Sequence, residues 1–210
     1  MFPKPKSALV PNTYAFESEP MVKPTGFREY DARWFFGKEL NLMGVQAVGM
    51  GLGTLIRRMG VKPEIVTGHD FRGYSLSVKQ ALILGLLEGG MEVLDVGLAL
   101  SPMAYFGQFE LKAPCVAMVT ASHNENGWTG VKMGARRPLT FGPDEIGRLK
   151  EIVLNGQGVT ARGYNPLADA LHNVVGQGIE GEIDGRRWKL GQAAFAAAGA
   201  GDHGHALWLG

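Results

Sequence analysis

Between residues 41 and 156, apolar segments of two different periods take turns, and that alternation limits the folds open to the chain more than any other property. "NLMGVQAVGMGLGTLIRRMG" places Leu42, Val45, Val48, Leu52, Leu55, Ile56 and Met59 three and four apart, the spacing of one helix face. Asn41 is the expected cap and Gly60 the stop, with internal glycines weakening the helix between them. "PEIVTG" reads as a short strand, "YSLSVKQALILGLLEGG" as a helix capped at Ser75 and ended at Gly89-Gly90, and "MEVLDVG" as a second strand. "SPMAYFGQFE" opens a helix with Ser101 as cap and Pro102 in its first position, "CVAMVT" is a third strand and "GVKMG" a short fourth. "GPDEIGRLKEIVLNG", with proline and two acids in its first turn, closes the region with a helix near residue 156. Strands and helices alternating at this spacing specify an α/β fold: a mainly parallel sheet with helices on both faces and right-handed crossovers.

The flanks read differently. Residues 1–24, with prolines at 3, 5, 11, 20 and 24 and no apolar run, are expected to form an extended arm rather than a signal peptide or membrane anchor. From about residue 166 the composition shifts, and "EGEIDGRRWKLG" reads as a β-hairpin at about 178–191 turning on Asp184-Gly185. A formal charge of +1, from 21 basic and 20 acidic side chains, supplies no field that would draw in nucleic acid or an anionic membrane. Neither is an expected partner. The one cysteine, Cys115, has no internal disulfide partner, so a reducing compartment, the cytoplasm, is the expected setting.

Open α/β sheets collect ligands at the carboxyl ends of their strands, and two loops there carry the polar chemistry: "GHDFRGYS" at 68–75 and "TASHNENGWTG" at 120–130. Ser122 follows a buried strand, so rigid backbone would hold its hydroxyl while leaving it open to solvent. Asn124, Asn126 and Gly127 would let nearby amides converge on it, which suits a nucleophile or a phosphate carrier. The same spacing also suits a loop in which Ser122 and His123 only satisfy backbone groups. Hydrolase chemistry lacks its G-x-S-x-G elbow, and a serine adjacent in sequence to its histidine has poor geometry for a triad. "FREYDARW" adds Arg28, Tyr30, Asp31 and Arg33, and the 68–75 loop adds Asp70 and Arg72. Guanidiniums gathered at strand ends suit a phosphate. Lys132, on the returning strand, is placed to hold a phosphate or move a proton.

"FREYDARW", "GHDFRGYS" and "TASHNENGWTGVKMG", in this order over residues 25–160, resemble the first-domain signatures of the α-D-phosphohexomutases, the phosphomannomutase and phosphoglucomutase family. The resemblance implies an isomerase that interconverts hexose 1-phosphate and hexose 6-phosphate through a hexose 1,6-bisphosphate intermediate. It implies that Ser122 is carried as a phosphoserine, donating phosphate and binding Mg²⁺ through it. It further implies that His123 and Lys132 are the acid and base candidates and that Arg28, Tyr30, Arg33, Arg72 and Asn124 bind substrate or its phosphate. Two residues depart from the family pattern: Glu125 stands where proline usually follows "SHN", adding negative charge near the phosphate, and a bulky Trp34 replaces glycine beside the first loop. The family's D-G-D-x-D-R metal loop, G-E-x-S-G-H sugar loop and terminal phosphate-binding domain have no counterpart in the sequence, so the chain by itself is expected to be an incomplete mutase.

The tail, residues 161–210, does not continue this pattern. "NVVGQGIEGEIDGRRWKLG" resembles part of the nucleotide-binding domain of heavy-metal-transporting P-type ATPases, which implies Gly176 and Gly178 as nucleotide-binding positions. A catalytically silent domain that binds phosphosugars or a partner chain, and a nucleotide-binding remnant, therefore stand as alternatives to the mutase reading.

Overall fold

The computed structural model describes residues 2–160 and, beyond them, strands at 172–174, 178–183, 186–191 and 208–209. The chain divides into two compact units, Met1–Thr160 and Ala161–Gly210. In the first unit five strands, β1 (Ala32–Phe35), β2 (Glu64–His69), β3 (Glu92–Leu98), β4 (Cys115–Val119) and β5 (Trp128–Gly134), lie in the order β1-β5-β4-β2-β3. β2 pairs parallel with β3 and β4 through helical crossovers, whereas β5 pairs antiparallel with β4 and β1. The α/β class is as expected and the sheet is mixed. The loop from β4 to β5 is too short to hold a crossover helix, so β5 must return antiparallel.

Helices α2 (Leu42–Arg58), α3 (Ser75–Glu88) and α5 (Pro143–Leu154) lie with the core of one face, where Leu52, Leu55, Ile56, Leu82, Leu86 and Leu149 are buried with Ile65, Ala117 and Val119. α4 (Ser101–Glu110) covers the other face over Val66, Val116 and Met118. All five β4 residues are buried. Coverage by α4 is partial, and Leu98, Met103 and Phe106 remain exposed beside β3. Among the described residues no helix is long and apolar enough to cross a membrane.

Local signals place several of these elements. Asn41 caps α2 by accepting from Gly44 N at 2.8 Å, as its spacing predicts. Ser75 and Ser101 differ from expectation. Each is the first residue of its helix rather than the cap, and the Ser75 hydroxyl instead donates to Asp70 at 2.6 Å. The arm also differs: it contains a helical turn, α1 (Tyr14–Ser18), and Met21 and Val22 are fully buried. Asn41 is the reason. Its side chain accepts from Met21 N and donates to the carbonyls of Phe16 and Glu19, folding that backbone onto the start of α2.

The α2 glycines, which sequence alone reads as weakening the helix, let α3 approach it closely. A Cβ on Gly49 would overlap the Leu82 carbonyl, and one on Gly85 the Gln46 carbonyl; Gly53 lies against Gly89. The second unit forms an antiparallel sheet of β6 (His172–Val174), β7 (Gly178–Ile183), β8 (Arg186–Gly191) and β9 (Trp208–Leu209). Pairing of Ile183 with Arg186 puts the β7–β8 hairpin where the sequence predicts it; Asp184, Gly185 and Gly176 lie outside the described residues.

Helix propensity favours alanine over glycine by about 1 kcal/mol, yet at Gly85 overpacking against backbone that cannot swing away, worth about 1–3 kcal/mol, should win. Gly85→Ala is expected to lower the urea midpoint of the first unit. An unchanged or higher midpoint would show that α2 and α3 are free to separate.

Candidate functional site

The parallel pair β2 and β4, in register at His69 and Val119, delivers two loops from the carboxyl ends of neighbouring strands. The loop after β4 turns back at once: Thr120 N donates to Gly130 O, and Asn124 N to Ala121 O, both at 3.0 Å. Ser122 is exposed and has a φ of 56°, in the left-handed region. A non-glycine residue is held there only where its surroundings over-determine it.

Those surroundings are two guanidiniums. Arg72, reaching from the loop after β2, binds the Asp70 carboxylate with Nη1 and donates with Nη2 to the carbonyls of Ser122, at 3.3 Å, and Asn124. Arg33, on β1, is anchored to Asp31 through Nε and Nη2 at 2.9 and 2.8 Å. Its Nη1 donates to Asn124 Oδ1 at 2.6 Å and to Ala121 O at 3.5 Å. Ser122 N in turn donates to Thr120 Oγ1 at 2.9 Å. Carbonyls accept these bonds, so the Ser122 hydroxyl is left out of the clamp.

This placement sorts the predicted residues. Arg33, Arg72 and Asn124, expected to bind a phosphate, are engaged with the loop itself, each arginine beside its own aspartate. Arg72 is only 6% exposed. Arg28 lies exposed over the Trp128 ring, 5.6 Å from its centroid, and its amide closes a turn on Asp31 O. Tyr30 is exposed, and the hydrogen bond and charge of Glu29 raise its pKa. His123 and Glu125 are exposed in the loop, and Lys132 is half-buried on β5 opposite Met118. Trp34 turns away from the loop: it is fully buried, bonded to Lys23 O at 2.8 Å and packed edge-on against Phe27. The departure at 34 therefore belongs to the core. β1, which carries Arg33 and Trp34, was not among the strands the sequence predicts.

Sequence reasoning passed over Thr120 and Tyr74, whose signals were a polar residue at a strand end and an aromatic among loop glycines. It gave Ser75 only a capping role, whereas its hydroxyl binds Asp70. Burial pushes the Asp70 carboxyl up, but the Ser75 and Thr120 hydroxyls, the Arg72 amide and the Arg72 charge more than offset this and hold it below the ordinary aspartate range.

Magnesium prefers several oxygen ligands, carboxylates among them. Among the described residues no three His, Cys, Asp or Glu side chains cluster to hold a metal, and Asp31 and Asp70 are taken up by arginines. The described residues do not by themselves form such a site.

Taken together, the fold and the loop define a class: an α/β domain that presents one serine at the end of a buried strand. The description "Phosphoglucomutase/phosphomannomutase, alpha/beta/alpha domain I" matches residues 24–159. A phosphomannomutase of Escherichia coli is 39% identical over 114 residues, covering 54% of this chain and 24% of its own length. A probable phosphoglucosamine mutase of Pyrococcus horikoshii is 35% identical over 109 residues, 52% of this chain and 23% of its own. The crystal structure of a phosphoglucomutase/phosphomannomutase family protein from Burkholderia thailandensis aligns with a TM-score of 0.61 at 27% identity, over 67% of this chain and 32% of that one. The chain belongs to the phosphoglucomutase/phosphomannomutase family. It spans about a quarter of the length of each of these two curated relatives. None of these matches supports a likeness between the tail and P-type ATPases. Gly178 begins β7, paired with Val174 and Gly191.

A carboxyl whose folded pKa is lowered adds stability that is complete above its unfolded value and lost as pH falls through the folded one. For Asp70 that loss lies below the ordinary value of 3.8. Asp70→Asn strands a buried guanidinium, so it is expected to destabilise by about 3–5 kcal/mol at pH 7 and to lose less than wild type on further acidification. Urea midpoints at pH 7 and pH 3 test this, and equal acid losses in the two proteins would remove Asp70 from the account.

Proposed function

We propose that this domain is the phosphate-carrying part of a phosphohexomutase, with Ser122 as the carrier. The observation that carries the reading is the clamp: backbone on both sides of an exposed serine is fixed by Arg33 and Arg72 while its hydroxyl stays free. Phosphoryl transfer asks mainly for positioning and charge stabilisation, and a serine whose backbone is fixed in advance supplies the first. In the donor half-reaction the phosphorus–oxygen bond to Ser122 breaks as one to a hexose phosphate hydroxyl forms. The hydroxyl proton passes to a base, for which His123 and Lys132 are the candidates, and the bisphosphate so formed returns its other phosphate to Ser122. Arg28 and Tyr30, exposed at the turn before β1, are the groups free to meet the substrate phosphate. Mg²⁺ belongs to the reading as an ion that neutralises phosphate charge. Cys115, whose thiol burial pushes up to about 12 and which has no disulfide, suits the cytoplasm proposed for the protein.

A second reading, a silent phosphosugar-binding domain, is favoured by one observation: the described residues assemble no carboxylate cluster for the metal. Incubation with Mg²⁺ and glucose 1,6-bisphosphate, followed by intact mass and peptide mapping, separates the two. One phosphate on Ser122, absent from Ser122→Ala, is the expected result. Bisphosphate binding without any label in wild type would select the silent domain, and equal labelling of both proteins would remove Ser122 as the carrier.

A further inference from the structure

The arginine clamp reaches only the first limb of the serine loop, residues 120–124. The second limb, 125–128, leads back into β5, and a loop fixed at one limb would let Ser122 swing about the other. Tyr74 closes this gap. It sits in the cap position before α3, and its hydroxyl accepts from Gly127 N and donates to Trp128 O, both at 2.8 Å. Its ring stacks on Phe36 at 5.4 Å with an interplanar angle of 21°. Phe36 N donates to Gly127 O at 2.8 Å. Gly127, with a φ of 97°, leaves no room for a side chain because the Phe35 ring lies against it. Both backbone polar groups of Gly127 are therefore paired, and its Cα face is packed.

Tyr74 and Arg72 belong to one short segment after β2. Arg72 grips the carbonyls of Ser122 and Asn124, and Tyr74 grips the amide of Gly127 and the carbonyl of Trp128. The same piece of chain thus spans the serine from both sides. A buried or half-buried hydroxyl that donates and accepts at once restrains two backbone groups in direction as well as distance.

We propose that the Tyr74 hydroxyl is a positioning group for phosphoryl transfer at Ser122, fixing the loop's second limb so that the serine meets the phosphate in one orientation. This rests on Ser122 being the phosphate carrier. Misplacement of a reacting group through a distant contact lowers the rate of the chemical step more than it weakens binding.

Tyr74→Phe keeps the ring on Phe36 and removes only the oxygen. Two measurements on the full chain test it: hydrogen exchange of the Gly127 amide, and single-turnover phosphorylation of Ser122 at a series of glucose 1,6-bisphosphate concentrations with Mg²⁺. The variant is expected to exchange the Gly127 amide about tenfold faster and to lose about tenfold in maximal rate. Its half-saturating bisphosphate concentration should stay within about twofold of wild type. A residue that served stability alone would lower the melting temperature and leave the maximal rate, measured well below melting, unchanged. Wild-type labelling with an unchanged maximal rate in Tyr74→Phe overturns the role of Tyr74 and leaves the carrier intact. No label on wild type overturns the carrier, and the role of Tyr74 with it.

Discussion

A guanidinium almost out of water cannot stand at the end of a parallel strand unless a carboxylate stands beside it, and the site depends on that pairing of Arg72 with Asp70. The carboxylate is also bound by Ser75 at the start of α3. Through Arg72 it therefore links the helix, the end of β2 and the carbonyls of the serine loop. Three hydrogen bonds, from Ser75, Thr120 and the Arg72 amide, together with the Arg72 charge hold the Asp70 pKa down despite burial. Arg33 with Asp31 repeats the device from β1 on the other side. The charges of both clamp arginines are matched by their own aspartates, so the two act on the loop chiefly through directed hydrogen bonds rather than through net field.

Much of the fold could be read from period alone. α2 begins at Leu42 behind its Asn41 cap, and β4 is the continuous apolar run that a strand buried on both faces requires. β1 was illegible because "ARWF" is four residues long and flanked by charged turn residues, and it becomes a strand only by pairing with β5. The helix starts at Ser75 and Ser101 shifted by one residue. In the first case the serine hydroxyl found Asp70, a partner that comes near only in the folded chain. The meaning of the α2 glycines was also hidden. A local scale registers their weak propensity, whereas Gly49 and Gly53 are set by the approach of Leu82 and Gly89.

The position of the serine loop was legible, and the division of labour within it was not. Residue types announced arginines, an asparagine and a serine at strand ends, and the resemblance supplied roles for them. Whether a guanidinium faces outward to a ligand or inward to a carbonyl depends on which carbonyls the loop turns toward it. That is settled by the left-handed turn at Ser122 and the return of Thr120 onto Gly130. Tyr74 was invisible for the same reason: its partners are backbone groups more than fifty residues away.

The backbone at Ser122 has one consequence for how such a gene changes over time. At a φ of 56°, glycine would be more comfortable than serine by roughly 1 kcal/mol, and asparagine would also tolerate the position better than most residues. Stability alone therefore pulls this site toward glycine in every generation, and a lineage with no use for the hydroxyl would drift there without penalty. A serine held in that conformation costs stability, a cost that the carrier role proposed for its hydroxyl would account for.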